Sequence, residues 1–307
     1  MGVGLMMKAA LGNTLGFITR LLPKWLVWCF VKRFIAGRTA EEALATAERL
    51  RRDGFAMSLN YLGEDVSDRL SVKHTAMNYR LLLGGIDYLK LSADIALKLS
   101  QFGILGDGVP DIVRGLGIDK VFEIMRIANC RGIHVWIDAE RLRWREETWR
   151  FAARFVIVNP NIGICVQAYA EDAVTFVSDR IHDGWRGSIR VCKGAYREPG
   201  YRLLSGKGLD ENFIKLCALV LSHNISLQVA THDELLISKL DRFCGPREYG
   251  FLLGVNPGLA QKLHDGGARV NIYAAYGKDF KGYGARRLKE RPGYVLLPFR
   301  GFHVGAR

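Results

Sequence analysis

Two adjacent arginines, Arg286 and Arg287, lie close to the C-terminus of the 307-residue chain and could hold an anion. A guanidinium presents planar, forked N–H donors, so a pair of them suits a carboxylate or a phosphate. On a helix the two side chains would point to different faces, and a solvated basic surface is the ordinary explanation. Three tyrosines in the same stretch favour a binding site instead: Tyr273, Tyr276 and Tyr283. The stretch is therefore a candidate anion-binding site, with the solvated surface as the alternative.

Strand-like and helix-like segments alternate along most of the chain. Apolar runs rich in Val, Ile and Leu recur eight times, and most are followed by a segment with helical spacing of apolar residues. The predicted strands are 55–62, 95–99, 133–140, 162–168, 188–195, 226–232, 248–252 and 268–273. Eight parallel βα units that close on themselves form a (β/α)8 barrel. The chain is therefore predicted to be an α/β protein with a TIM-type (β/α)8 barrel.

Helices are predicted at both ends of this barrel. We expect residues 1–52 to form an N-terminal helical segment, interrupted at Pro23, that packs on a barrel formed by residues 53–307. A final helix from about Asp279 to Arg291 would carry the arginine pair. No linker rich in Pro, Gly or Ser divides the chain, and the Gly spacings near its start follow no strand, so a Rossmann fingerprint is not supported.

Composition and charge limit the partners and the compartment. The net charge of +13 favours anionic partners, but no run of like charges and no nucleic-acid motif is present, so nucleic-acid binding is not expected. Six cysteines without a C-x-x-C pair indicate reduced thiols and a cytoplasmic location. No apolar run reaches the roughly 18 residues of a membrane span. The apolar, basic start of the chain keeps peripheral contact with the inner face of a membrane as the minority alternative to packing on the barrel.

Polar side chains end nearly all the predicted strands. In a barrel of this kind the C-terminal ends of the strands face one shared mouth. The residues at these ends are Glu64, Lys98, Asp138 with Glu140, Gln167, Arg190 with Lys193, Thr231 with His232, Leu252 and Tyr273. The set offers cations and aromatic rings, without a cluster of metal ligands or a nucleophile with its base. Such a mouth suits an anionic substrate that lies on a flat redox cofactor.

These residues, in this order, resemble the monofunctional bacterial proline dehydrogenases. Two motifs carry most of the resemblance: Arg190-Val-Cys-Lys193-Gly-Ala-Tyr196 and Tyr283-Gly-Ala-Arg286-Arg287-Leu-Lys-Glu290. Supporting segments are Leu62-Gly63-Glu64, Leu97-Lys98-Leu99, Ile137-Asp138-Ala-Glu140, Val166-Gln167-Ala-Tyr169 and Ala230-Thr231-His232. The resemblance covers essentially the whole chain and implies an FAD-dependent, distorted (β/α)8 barrel with a C-terminal lid helix. It implies oxidation of L-proline to 1-pyrroline-5-carboxylate by hydride transfer from C5 to N5 of FAD, with a quinone as the electron acceptor.

The resemblance also implies a role for each matching residue. The proline carboxylate would be bound by Arg286, Arg287 and Lys98. The walls of the ring pocket would be Tyr196, Tyr273, Tyr283 and Leu252. Arg190 would lie beside flavin N5, Asp138 would fix Lys98 or Arg190 in place, and Glu64 would pair with Arg286 when the lid helix closes. The other cofactor contacts would be Ala139, Gln167, Lys193, Gly194, Ala195, Thr231 and His232.

The chain departs from the family pattern outside the two motifs, at Asn60, Arg197, Gly250, Asn271 and Ala275. Arg197 and Gly250 leave the size of the substrate and the flavin contacts open. Two alternatives to proline oxidation remain at this point. One is flavin-dependent oxidation of another cyclic imino acid, such as hydroxyproline, and the other is a non-catalytic basic binding module.

Overall fold

Eight parallel strands close into a barrel in the computed structural model, which describes residues 23–156, 159, 161–196, 198–244, 248–280 and 282–283. The described residues form nine strands in all: β1 (Ile35–Gly37), β2 (Ala56–Tyr61), β3 (Ala93–Leu97), β4 (Val135–Ile137), β5 (Ile162–Gln167), β6 (Ser188–Cys192), β7 (Leu227–Ala230), β8 (Glu248–Leu252) and β9 (Arg269–Tyr276). Strands β2 to β9 pair in chain order, and β9 pairs back with β2 to close the barrel. The predicted α/β barrel is confirmed.

The short strand β1 lies beside the barrel and was not predicted. It pairs with the last two residues of β9, Ala275 and Tyr276, beyond the point at which β8 ends. Three residues are too few to show a periodic apolar pattern, which explains why the sequence does not reveal this strand. The pairing holds part of the N-terminal segment at the mouth of the barrel, whereas residues 1–22 lie outside the described part of the chain.

Helices follow most of the barrel strands and surround them. The described residues contain α1 (Lys24–Val31), α2 (Ala40–Arg52), α3 (Arg69–Tyr88), α4 (Asp111–Cys130), α5 (Arg145–Val156), α6 (Ala173–His182), α7 (Gly206–Ser222), α8 (Glu234–Cys244) and α9 (Pro257–Asp265). The Thr39 hydroxyl caps the N-terminus of α2, because it accepts the backbone N–H of Glu42 at 3.3 Å. None of the described helices has the length and apolar character needed to cross a bilayer.

Apolar and polar side chains alternate along the strands, which separates an apolar outer layer from a polar barrel interior. In β6, for example, Ile189 and Val191 join the core between the strands and the helices. Arg190, between them in the sequence, instead reaches side chains on three other strands or strand ends. Successive side chains of a strand point to opposite faces, so each strand supplies both layers.

A second, smaller apolar cluster joins the N-terminal segment to the mouth of the barrel. Val27 and Val31 of α1 pack there with Leu62, Phe280 and Tyr283. The wall of the mouth therefore includes residues that precede the barrel in the chain.

The bounds of β3 and α4 differ from the sequence prediction. β3 ends at Leu97, so Lys98 is not a strand residue and instead precedes the 3-10 turn Leu99–Phe102. The apolar spacing in the sequence predicts a helix only from Ile118, because Gly115 and Gly117 interrupt that spacing, whereas α4 begins at Asp111. Most of the predicted C-terminal helix lies outside the described residues.

Candidate active site

A cleft of about 1780 Å³ opens at the C-terminal ends of the barrel strands. Small-molecule pockets usually measure about 300–1,000 Å³, so this cleft has room for a large cofactor together with a small substrate. All of the predicted site residues that the structure describes line it: Glu64, Lys98, Asp138, Ala139, Gln167, Arg190, Lys193, Gly194, Ala195, Tyr196, Thr231, His232, Leu252, Tyr273 and Tyr283. Arg286 and Arg287 lie outside the described residues, so the carboxylate clamp stays a prediction.

Arg190, on β6, is held by side chains from several strands. Its Nη1 lies 3.3 Å from Asp138 Oδ1, its Nη2 donates to Ser58 Oγ at 3.0 Å, and its Nε donates to Gln228 Oε1. The guanidinium also stacks over the Trp136 ring, with its carbon 4.3 Å from the ring centroid. The side chain is 4 % exposed. These contacts fix the orientation of the positive charge at the floor of the cleft.

Asp138 follows β4 and connects Arg190 to Tyr273, which also lines the cleft. Tyr273 Oη donates to Asp138 Oδ2 at 2.6 Å, and Arg190 contacts the other carboxylate oxygen. Burial raises the pKa of the Asp138 carboxyl, while Arg190 and the Tyr273 hydrogen bond oppose that rise. The pKa of Tyr273 is well above its ordinary value, because burial and the neighbouring Asp138 both disfavour the phenolate. Tyr273 therefore acts as a hydrogen-bond donor in this pair.

Lys98 forms an ion pair with Glu64 across the mouth, between the residues that follow β3 and β2. The backbone N–H of Lys98 donates to Gln101 Oε1 at 2.9 Å, which fixes the start of the turn. Burial works to lower the pKa of the Lys98 ammonium, but the interactions with Tyr196 and Glu64 outweigh it and the pKa lies above its ordinary value. Lys98 thus stays charged at neutral pH. Of the two predicted partners of Asp138, Arg190 rather than Lys98 forms the ion pair.

The segment after β6 forms another side of the cleft. Lys193 Nζ lies 2.9 Å from Asp210 and 2.8 Å from Asp233, and these two carboxylates raise the Lys193 pKa against the effect of burial. Gly194 has a φ of +106°, and a side chain there would overlap the ring of Tyr169. Only glycine fits this position without strain, and its exposed backbone lines the cleft, where ligand atoms can approach it.

His232 and Leu252 continue the wall at the ends of β7 and β8. The Leu252 backbone N–H donates to His232 Nε2 at 2.9 Å, so the ring proton of the neutral imidazole lies on Nδ1. The Thr231 hydroxyl accepts the N–H of Asp233 at 3.2 Å and shapes the turn that leads into α8.

One predicted strand-end residue does not face the cleft. The Glu140 carboxylate accepts the backbone N–H of Ser100 at 3.0 Å and also the Ser100 hydroxyl. The side chain is buried and holds the turn after β3 against the segment after β4. The expectation that every polar strand end shares one mouth was therefore wrong for Glu140.

Sequence reasoning missed a polar network inside the barrel, beneath Arg190. Ser58 donates to Asn271 at 2.9 Å, Asn271 donates to Asp94 at 2.9 Å, and the Trp136 indole N–H donates to the same Asp94 oxygen at 3.1 Å. Burial raises the pKa of Asp94. The alternation of side-chain direction along each strand is the signal that indicates these inward positions, which the strand ends do not reveal.

Two departures from the family pattern belong to this interior. Asn271 is part of the network. Gly250 lies beside Gln228, and a Cβ there would come within 3.0 Å of Gln228 Oε1, the acceptor of an Arg190 hydrogen bond. Glycine therefore leaves that hydrogen bond undisturbed.

The donor set of the cleft fits a flavin nucleotide. Arg190, Lys193 and Gln167 supply cationic and amide N–H groups, and the exposed backbone at Gly194 allows close approach. The Tyr169 hydroxyl is buried beside this edge and has no hydrogen-bond partner among the described residues. A ligand with several acceptor atoms and a flat ring suits such a surface.

Comparisons with known proteins show which family and which fold this chain resembles. The family model described as Proline dehydrogenase matches residues 43–292. Proline dehydrogenase 1 of Bacillus subtilis (strain 168) is 27% identical over 278 residues, which are 88% of this chain and 89% of the relative. Proline dehydrogenase of Deinococcus radiodurans is 28% identical over 301 residues, 92% of this chain and 93% of the relative. The fold resembles that of proline utilization A from Bdellovibrio bacteriovorus, with a TM-score of 0.74 at 19% identity. That match covers 84% of this chain and 32% of the longer protein.

Proposed function

Because this chain belongs to the proline dehydrogenase family, whose members are oxidoreductases that act on proline, we propose that it converts L-proline to 1-pyrroline-5-carboxylate with FAD as its cofactor. The observation that carries this proposal is the meeting of Lys98, Arg190 and Tyr273 at one cleft, although they lie far apart in the sequence. A fixed pair of cations beside an aromatic wall suits a small carboxylate whose ring must lie flat.

Lys98 binds the substrate carboxylate in this proposal. An ammonium has three donors, so Lys98 can keep its contact with Glu64 and still bind an oxygen of the substrate. The raised pKa keeps the group charged throughout the pH range in which proline binds as a carboxylate. Arg286 and Arg287 would complete the clamp, and Glu64 would pair with Arg286 when the C-terminal helix closes over the mouth.

Tyr273, Tyr283 and Leu252 form the proposed pocket for the five-membered ring. Tyr283 is 7 % exposed and belongs to the apolar cluster at the mouth, where its ring can exclude water from the substrate. The amine must lose its proton before or during oxidation, because an ammonium nitrogen has no lone pair to form the C=N bond. The pocket contributes by holding C5 of proline in one orientation.

Arg190 is proposed to act electrostatically. When bound, FAD supplies the hydride acceptor. The guanidinium, fixed by Asp138, Ser58 and Gln228, places positive charge where negative charge develops during the reaction. Asp138 acts through Arg190 and Tyr273, and its function is to keep both in place.

The remaining cofactor contacts are proposed on the basis of position. Gln167 lies at the end of β5, one strand from Arg190, and its amide can bind the polar edge of the ring. The other lining residues are Ala139, Lys193, Gly194, Ala195, Thr231 and His232. The electrons would pass to a quinone, and the basic N-terminal segment would allow peripheral contact with an anionic membrane.

A panel of ring amines tests the proposal. We expect kcat/KM for pyrrolidine, which lacks the carboxylate, to be at least about tenfold lower than for L-proline, the effect of one charge-assisted hydrogen bond. Hydroxyproline in the same panel tests the alternative substrate. Equal kcat/KM values for pyrrolidine and proline would contradict carboxylate recognition, and a higher value for hydroxyproline would reassign the substrate.

A further inference from the structure

Two cysteines with no part in the proposed reaction lie side by side in the cleft. Cys165 is on β5 and Cys192 is the last residue of β6, and their sulfur atoms are 3.5 Å apart. Both are free thiols and both line the cleft. Of the other cysteines whose side chains the structure describes, Cys29 and Cys130 are exposed and Cys217 is buried in α7. The pair is therefore a local arrangement of two thiols that solutes in the cleft can reach.

The spacing of the sulfurs selects one kind of ligand. A soft metal or metalloid binds thiolate sulfur at about 2.3 Å. Two sulfurs 3.5 Å apart then subtend an angle of roughly 100° at a shared atom, whereas a linear two-coordinate ion would need them roughly 4.6 Å apart. An angle near 100° is that of a pyramidal, trivalent centre. The hydrogen bond that Cys165 shares with Cys192 lowers the pKa of the Cys165 thiol, which favours the reactive thiolate.

We propose that Cys165 and Cys192 form a dithiol site for one trivalent thiophilic centre, the class that includes organic arsenoxides, and that filling this site obstructs the cofactor part of the cleft. In the reaction two As–S bonds form and the As=O bond breaks. The oxygen leaves as water with the two thiol protons, so no oxidant or reductant is needed. Soft thiolate ligands prefer such centres over hard cations.

The position of the pair explains why its occupation would obstruct the cleft. Cys165 is the register partner of Arg190, and Cys192 is the register partner of Gln167. The four side chains form two adjacent rows on the inner face of the sheet, and all four line the cleft. An aryl group on a metalloid bound between the sulfurs would occupy space beside the two residues assigned to the flavin. This second part of the inference rests on the proposed function, but the dithiol site itself does not.

Phenylarsine oxide is the probe, and the intact mass of the purified full chain is the first measurement. With one equivalent of reagent and excess glutathione present, we expect one adduct equal to protein plus reagent minus one water. Dithiothreitol should remove it. Cys165→Ser and Cys192→Ser should each weaken retention about 100-fold or more, because the second bond of a chelate is intramolecular. The exposed-site control Cys130→Ser should retain the adduct as the unchanged protein does.

Peptide mapping of the unchanged protein keeps the test valid if a serine variant folds poorly. The arsenic should bridge the two peptides that contain Cys165 and Cys192. A bridge elsewhere, or full retention in either serine variant, would overturn the site. Flavin fluorescence tests the obstruction: the arsenical should release bound FAD from the unchanged protein and leave it bound in Cys165→Ser. An adduct on the pair that leaves FAD bound would overturn the obstruction, whereas a protein that forms the adduct but never binds FAD would overturn the proposed function.

Discussion

Removing the Tyr273 hydroxyl tests the geometry that holds Arg190 in the cleft. The hydroxyl donates to Asp138 at 2.6 Å, and Tyr273→Phe deletes that bond while keeping the aromatic ring 5.6 Å from the guanidinium carbon of Arg190. A hydrogen bond to a charged group contributes about 1.5–3 kcal/mol. We therefore expect the free energy of unfolding in urea to fall by about 2 kcal/mol. The same energy expressed in the transition state corresponds to about a 30-fold lower kcat/KM for proline.

Tyr276→Phe is the matched control. This tyrosine lies on the same strand and its hydroxyl donates to a neutral acceptor, the Asn78 carbonyl, at 3.2 Å. Tyr276 is not among the residues that line the cleft. The control should lose about 0.5–1.5 kcal/mol of stability and leave kcat/KM within about twofold of the unchanged enzyme.

A double-mutant cycle with Asp138→Asn isolates the interaction. Each single change removes the charge-assisted bond, so the losses of Tyr273→Phe and Asp138→Asn should overlap with a coupling energy of about 1–2 kcal/mol. Tyr276→Phe and Asp138→Asn should be additive. A coupling energy below about 0.5 kcal/mol between Tyr273 and Asp138 would refute the reasoning, because independent residues show that value.

Three further changes test the substrate contact of Lys98, the cofactor contact of Gly194 and the buried ring of His134. Lys98→Met should raise KM for proline about 30-fold with FAD still bound, and an unchanged KM would contradict the role of Lys98. In the unchanged enzyme, the affinity for proline should show no ionisation of Lys98 up to about pH 10, because the pKa of Lys98 is raised. Gly194→Ala should weaken FAD binding about tenfold or more, because it introduces backbone strain and overlap with Tyr169. Gly63→Ala, which lies in open space at the same cleft, should leave FAD binding unchanged. Equal FAD affinities of the two variants would contradict a close approach of FAD to the backbone at Gly194. Burial lowers the pKa of His134 to about 4, so its contribution to stability is complete above about pH 6.5 and is lost as the pH falls toward 4. Between about pH 8 and 5 the free energy of unfolding should fall by about 2 kcal/mol through His134 alone. His134→Gln should lack this fall when unfolding in urea is measured across the same pH range. An equally steep fall in the variant would contradict the contribution of His134.

The sequence predicts the barrel well because apolar side chains, which pack against the helices, alternate along the strands with polar side chains that face the barrel interior. Ile189, Arg190 and Val191 show this pattern within three residues, and β6 was predicted with the correct start. Short or interrupted helices and strands do not show a periodic pattern of apolar residues. β1 has three residues, and the first turns of α4 contain two glycines, so neither was recognised.

The cleft was predicted from strand ends, and this reasoning has a clear limit. It located Lys98, Asp138 and Arg190 because a charge at the end of an apolar strand has little reason to be there unless it faces a site. It could not distinguish Glu140, which turns away to cap the backbone at Ser100. That distinction depends on the path of the chain after the strand, which periodicity does not encode.

The interior network under Arg190 was missed for a different reason. Ser58, Asp94 and Asn271 lie within strands, and although Asn271 departs from the family pattern, the sequence does not show that the three side chains are partners. Their partnership appears only when the barrel closes and brings β2, β3 and β9 together. Long-range pairing of this kind follows from the register of the strands rather than from local pattern.

The most direct test of proline oxidation in this cleft is the visible absorption spectrum of the purified protein, recorded without oxygen before and after addition of L-proline. We expect a yellow protein whose flavin band bleaches when proline is added, and little or no bleaching with the same concentration of pyrrolidine. A protein that stays colourless after incubation with FAD, or a flavin band that proline leaves unchanged, would contradict the assignment of this cleft to proline oxidation.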